Sequence, residues 1–156
     1  MGYSDSPVAE TINPNTCHNR PYEVTLTGVM DIVATGIDLI ECKRIRDIWQ
    51  RHGDRLTDRL LTEAEFQYVR RHKDPVPRLA GRFAAKEAVL KVLGTGWRGK
   101  IAWRDVEILN AGNGRPHVKL TGECKRIADQ MGITDIFISI THTENYAVAN
   151  AIGIGK

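Results

Sequence analysis

The stretch from about Pro77 to Leu93, PRLAGRFAAKEAVLKVL, constrains the fold more than any other part of the chain. A proline stands at its start and Gly94 directly after it, the two signals that bracket a helix. Leu79, Phe83, Leu90 and Leu93 supply an apolar side, and Ala84, Ala85 and Ala88 leave room for other elements to approach closely. The flanking sequence supplies elements to cover it. DIVATGIDLI is rich in β-branched residues and reads as a buried strand that ends near Asp38. ECKRIRDIWQRHG places Ile45, Ile48 and Trp49 at helical spacing and closes on Gly53. LTEAEFQYVRRH opens on a capping box, with Thr62 accepting from the Glu65 amide while Glu65 reaches back. Further on, WRDVEIL alternates and meets Asn113-Gly114, a tight-turn signal between two strands. TGECKRIADQMG reads as a short helix capped by Thr121 and ended by Gly132. DIFISITHT and YAVANAIG read as strands joined around Glu144-Asn145. The order is strand, helices, hairpin, helix, hairpin. It predicts an α+β fold with a largely antiparallel sheet packed on the long helix, and not a run of βαβ units.

The chain has 156 residues, enough for one domain with a real core. Residues 1–30 read as an N-terminal extension, polar, rich in turn formers and partly mobile. Within it Val24, Leu26 and Val29 roughly alternate and can add a strand. Residues 31–156 read as the folded domain. No run approaches the roughly 18 apolar residues that span a bilayer, and no signal peptide is visible, so a membrane role and secretion are not expected. The three cysteines, Cys17, Cys42 and Cys124, show neither disulfide framework nor metal-ligand spacing, which suits a reducing cytoplasm. A net charge of +3 favours acidic partners without demanding a nucleic acid.

Several residues carry two readings each. Asp38 can cap or open the following helix, or it can ligate a metal at a strand end. Glu87 and Lys91 are four apart on one helix face. They can form an exposed ion pair, or Glu87 can bind a hard cation while Lys91 binds a phosphate that the cation also contacts. Gly94-Thr95-Gly96 can be a plain helix cap or can let phosphates approach backbone amides, although its spacing is not that of a P-loop. His142, between Thr141 and Thr143, can be a turn residue or can donate a hydrogen bond to a phosphate. Arg44, Arg46, Arg51, Arg55 and Arg59 form a basic face, either solvated or a docking surface for an acidic partner.

Taken together, GIDLIECKRI, LAGRFAAKEAVLKVLGTG and ISITHTENYAVA, in this order and at these separations, resemble the holo-acyl-carrier-protein synthase family, the small bacterial type of 4′-phosphopantetheinyl transferase. The resemblance runs from about residue 32 to 154 and leaves the N-terminal extension uncovered. It implies the 4′-phosphopantetheinyl transferase fold, a homotrimer with a coenzyme A site at each subunit interface, and a cytoplasmic, Mg²⁺-dependent reaction serving fatty acid biosynthesis. In that reaction the phosphopantetheine arm of coenzyme A moves to a serine of apo-acyl carrier protein, and adenosine 3′,5′-bisphosphate leaves. By the same resemblance Asp38 and Glu87 match the metal carboxylates, and Lys91 the lysine on the coenzyme phosphates. Gly94 and Gly96 match the loop packed on the nucleotide, and His142 and Thr143 the segment near the 3′-phosphate. Arg44 matches a basic residue on the helix that meets the carrier protein. Arg82 and Lys86 lie inside the motif, with Arg82 on the coenzyme side. Glu87 is the candidate base, directly or through a metal-bound water, with Asp38 or another water as alternatives.

Two competing readings make distinct demands. An RNA-binding domain using the arginines and RRHKDPVPR calls for aromatics interleaved with basic residues, whereas Trp49, Trp97 and Trp103 are scattered. A trimeric binding protein that has lost activity calls for missing site residues, and all are present.

Overall fold

The computed structural model describes residues 30–96 and 99–155. In chain order it contains strand β1 (Asp31–Glu41), helices α1 (Cys42–His52), α2 (Asp54–Leu60), α3 (Glu63–Arg70) and α4 (Val76–Val92), a single 3-10 turn (Trp103–Asp105), strands β2 (Val106–Asn110) and β3 (Pro116–Leu120), helix α5 (Gly122–Gln130), and strands β4 (Ile133–His142) and β5 (Tyr146–Gly155). All ladders are antiparallel. The expected single sheet is two: three strands in the order β1-β5-β4, and the separate hairpin β2-β3. The extension, the possible strand at Val24–Val29 and Cys17 lie outside the described residues. Cys42 and Cys124 are free and buried. No helix among the described residues is long and apolar enough to cross a membrane.

Helix α4 organises these layers. Instead of an apolar stripe it buries most of its 17 residues, with Leu79, Ala80, Ala84, Ala85, Ala88, Val89 and Leu90 all at 0 % exposure. β1 and β5 cover one side, and α1, α3 and β2 cover much of the rest. Each fully buried leucine or valine stabilises the fold by about 1.5–3 kcal/mol. The closest approach is at Gly36. A Cβ there would lie 2.1 Å from the Ala88 carbonyl oxygen and 3.0 Å from the Lys91 Cβ, so only glycine lets β1 lie this near the helix. The helix ends on a Schellman motif. The Gly94 amide donates to the Lys91 carbonyl at 3.1 Å and the Thr95 amide to the Leu90 carbonyl at 3.3 Å, with Gly94 left-handed at φ 68°.

Other elements depart from expectation for local reasons. β1 does not stop near Asp38 but runs to Glu41, and it is not buried on both faces. Ile32, Ile37 and Leu39 are 60–66 % exposed, because α4 covers only one side of this edge strand. Gly53, at φ 54°, ends α1 as expected, but the chain re-enters a helix at once and α2 results. Trp103–Asp105 turn before β2 begins, so WRDVEIL is only partly strand. Thr121 stands at the N-cap of α5 without a side-chain cap, its hydroxyl pointing to the Asp105 carbonyl at 3.5 Å. The Thr62–Glu65 capping box is present as read.

Glu65 does more than cap. Its carboxylate is fully buried and accepts from the Thr62 amide at 2.9 Å, the Ile108 amide at 3.0 Å and the Lys86 ammonium at 2.8 Å. Lys86, also at 0 % exposure, spends its other donors on the Trp103 and Val106 carbonyls. Burial pushes Lys86 down and Glu65 pulls it back up. This ion pair ties α3, α4 and β2 together through fully satisfied polar groups. Lys86→Met strands the Glu65 carboxylate and should destabilise by about 3–5 kcal/mol in urea unfolding. The double change Lys86→Met with Glu65→Met should recover a large part of that loss. Equal loss in single and double variants would mean that the pair is not what the site requires.

Candidate functional site

Asp38 faces inward, two residues after Gly36 on the same side of β1. It is therefore not a helix cap: it pairs across the ladder with Ala149, and the N-cap of α1 is Glu41. Because β1 touches α4 at Ala88, the next inward position meets the turn that carries Glu87 and Lys91. Lys91 Nζ donates to Asp38 Oδ1 at 2.9 Å and to the Ile37 carbonyl at 2.5 Å. Glu87 is partly buried, and its carboxylate accepts no hydrogen bond from a described residue. Burial raises its pKa most, and the Asp38 charge raises it further. Lys91 and then Arg44, exposed on the first turn of α1, pull it down. Two carboxylates and two cations thus share one small region at the junction of β1, α1 and α4.

His142, Arg82 and the unanticipated Arg78 gather elsewhere. His142 ends β4, and Arg78 Nη1 lies 2.7 Å from its Nε2. With arginine donating, that nitrogen accepts, which assigns the proton to Nδ1. Burial lowers the His142 pKa, and the charges of Arg78 and His72 lower it further. Arg82 is 4 % exposed, stacks over the Tyr68 ring at 4.4 Å and donates to Asn110 Oδ1. Its buried Nε has no partner among the described residues. Tyr68, Arg78, Arg82, Asn110, Pro116 and His142 line a cavity of about 150 Å³. Thr143 closes the turn between β4 and β5, its hydroxyl accepting from the Asn145 and Tyr146 amides at 3.2 and 3.1 Å.

The two clusters lie on different sides of α4. Arg82 and Glu87 are five residues apart on α4, about 140° around its axis, so one group faces β1 while the other faces β4 and the hairpin. Gly94 is the left-handed position of the helix cap. Gly96, at φ 55°, lies beyond that cap, and a Cβ there would meet nothing within 4 Å. In the basic face, Arg46 pairs with Asp74 at 3.0 Å and Arg51 donates to the Asp47 carbonyl at 3.1 Å. Sequence reading missed Arg78, Tyr68 and Asn110. Only Arg78 had a signal, its four-residue spacing from Arg82 on one helix face.

The chain also matches known proteins. The model of the 4′-phosphopantetheinyl transferase superfamily matches residues 34–151. A holo-[acyl-carrier-protein] synthase of Solibacter usitatus is 43 % identical over 78 % of this chain and 97 % of its own. Among solved structures, an acyl carrier protein synthase of Plasmodium yoelii with ADP bound superposes with a TM-score of 0.74 at 31 % identity, covering 83 % of this chain and 99 % of that one. A holo-(acyl-carrier-protein) synthase of Bacillus anthracis in complex with CoA (3′,5′-ADP) gives 0.67 at 32 % identity, covering 82 % and 100 %.

The Glu87 shift has a consequence for the protein on its own. Below the ordinary glutamate value of 4.5, Glu87 is protonated folded or unfolded. As pH rises from there through the raised folded value, ionisation costs stability, because the folded state holds the proton more tightly. In chelator-treated buffer Glu87→Gln should therefore melt above the parent at about pH 7.5 and level with it below about pH 4. A variant that melts lower at neutral pH would show that the Glu87 charge is already compensated.

Proposed function

The chain belongs to the holo-[acyl-carrier-protein] synthases of the 4′-phosphopantetheinyl transferase superfamily, and we propose that its reaction runs at a site built from the Asp38–Glu87–Lys91 cluster of one chain and the Arg78–Arg82–His142 cluster of another. The observation that carries this reading is the pairing of Asp38 and Glu87 beside Lys91, with the second cationic cluster on the opposite side of α4. An enzyme of this family moves the phosphopantetheine arm from coenzyme A to an acyl-carrier-protein serine. The serine oxygen forms a bond to the arm's phosphorus, the pyrophosphate P–O bond breaks, and adenosine 3′,5′-bisphosphate leaves.

The residues fit Mg²⁺. Among the described residues no group of three or more His, Cys, Asp and Glu side chains comes together, so the chain offers the two carboxylates that Mg²⁺ takes when phosphates and waters complete its shell. Glu87, with no donor of its own and a partner carboxylate that raises its pKa, is a place where a cation is favoured. Held by Asp38 and Glu87, Mg²⁺ would neutralise charge on the pyrophosphate. Lys91 adds a second positive charge on the leaving phosphate. Glu87, directly or through a water on the cation, is also the group placed to take the serine proton, with Asp38 or another water as the alternative.

The other cluster suits the nucleotide end. Arg82 has a buried Nε without a partner and Arg78 sits against His142, an arrangement suited to an anionic group such as the 3′-phosphate. Thr143 helps by holding the turn next to His142. Gly94 and Gly96 shape the loop beside Lys91. A homotrimer supplies the second chain, and the exposed face carrying Ile32, Ile37 and Leu39 supports it. Arg44, on α1, docks the acidic carrier protein. Residues 31–156 form the transferase unit, acting in the cytoplasm and in fatty acid biosynthesis.

Mass spectrometry of apo carrier protein after incubation with coenzyme A and Mg²⁺ tests the activity. Asp38→Ala and Glu87→Ala should each lower transfer by about 10²-fold or more. Near-normal rates in limiting Mg²⁺ would remove that residue from the ligand set. Arg44→Glu should raise KM for the carrier protein and leave KM for coenzyme A unchanged; an equal rise in both would place Arg44 at the nucleotide. A shared site makes a sharper demand. Asp38→Ala and His142→Ala proteins, each inactive, should regain about a quarter of wild-type activity when unfolded, mixed and refolded together, as random mixing in a cyclic assembly requires. No recovery would confine the site to one chain.

A further inference from the structure

We propose that Lys91 is a resident counter-ion of Asp38 which the coenzyme's phosphates draw off before Asp38 can hold a divalent cation, so that coenzyme and cation bind as a linked pair. The proposal rests on the reading of Asp38 and Glu87 as the cation's ligands. Lys91 is held at two points on β1, with Nζ 2.9 Å from Asp38 Oδ1 and 2.5 Å from the Ile37 carbonyl. Its ammonium is turned back onto the strand although the side chain is half exposed. The two carboxylates are therefore unlike each other. Asp38, 16 % exposed at its side chain, is already neutralised by a cation in contact. Glu87 has no such contact.

A cation held by Asp38 and Glu87 would compete with the Lys91 ammonium for the negative charge of Asp38. Until an anion arrives to receive the ammonium, that competition sets one positive charge beside another. The pyrophosphate of coenzyme A is such an anion. Lys91 is 48 % exposed, so its side chain is free to move from strand to ligand without unpacking the helix. Arg44 is the natural comparison. It is also a cation felt by Glu87, but it makes no contact with Asp38. Linkage then requires reciprocity: coenzyme A raises cation affinity by the same factor as the cation raises coenzyme affinity.

Mn²⁺ binding, read by electron paramagnetic resonance with no coenzyme present, tests the latch apart from turnover. A partly exposed ion pair offers a factor of a few, so Lys91→Met should bind Mn²⁺ about three- to fivefold more tightly than wild type at low ionic strength. The gain should shrink in high salt. Arg44→Met, which removes a charge without releasing Asp38, should gain less than about twofold. Saturating coenzyme A should tighten Mn²⁺ binding more in wild type than in Lys91→Met, because only wild type has a latch to release. Equal Mn²⁺ affinity in wild type and Lys91→Met, or an equal gain in Arg44→Met, overturns the latch and leaves the ligand assignment standing. Absence of Mn²⁺ binding to wild type even with coenzyme A, or undiminished binding in Asp38→Asn, overturns the ligand assignment and the latch with it.

Discussion

The rest of the structure depends on how closely the backbone of β1 lies on α4. At Gly36 the strand has no side chain, and the carbonyl oxygen of Ala88 fills the space a Cβ would take. That contact fixes both the depth and the register of the strand on the helix. Asp38 then follows at the next inward position, and the helix turn it meets carries Glu87 and Lys91. The acidic pair is a product of backbone packing. Neither carboxylate is placed by a loop, and neither needs a long side chain to reach the other.

The same helix separates two tasks by face. Lys86 and Glu87 are neighbours in sequence with opposite surroundings. Lys86 is sealed against Glu65 and two carbonyls, and Glu87 stands partly open beside Asp38. The fully satisfied buried pair fixes how the helix is rotated between α3 and β2, and that rotation leaves Glu87 on the partly open side next to Asp38. Arg78 and Arg82 occupy a third direction, towards β4 and the hairpin. The Asp38–Glu87–Lys91 and Arg78–Arg82–His142 clusters therefore lie on opposite sides of a helix that is buried on nearly all sides.

Much of this was legible in the sequence. The bracketed helix, the capping box, the two hairpins and the residues Asp38, Glu87 and Lys91 could all be read from spacing, turn residues and motif. What was not legible depended on the third dimension. The strand reads as ending near Asp38, where a charge interrupts the apolar run, but ladder pairing with β5 carries β1 on to Glu41. The β-branched residues of β1 suggested burial on both faces, whereas an edge strand has one covered face in a single chain. α2 was hidden by Gly53, which breaks one helix and starts the next. Lys86 read as one more charged residue in a motif, because burial of a lysine depends on a carboxylate twenty-one residues earlier. The Arg78–His142 contact joins residues sixty-four apart, a pairing no local pattern encodes.

The ladder between β1 and β5 also governs the order in which the chain can acquire its shape. Asp31 lies opposite Gly155, so the first strand of the domain is completed by the last. During synthesis β1 emerges with its apolar residues and waits, unpaired, until nearly all of the remaining chain has left the ribosome. Contacts this distant in sequence are entropically slow to close. A newly made chain therefore spends its most exposed interval holding a strand with no partner, the state in which edge-to-edge association with other chains competes with folding. Loss of a few residues from the C-terminus acts at the opposite end of the sequence, by removing Ile154 and Gly155, the partners of Ile32 and Asp31 at the start of β1.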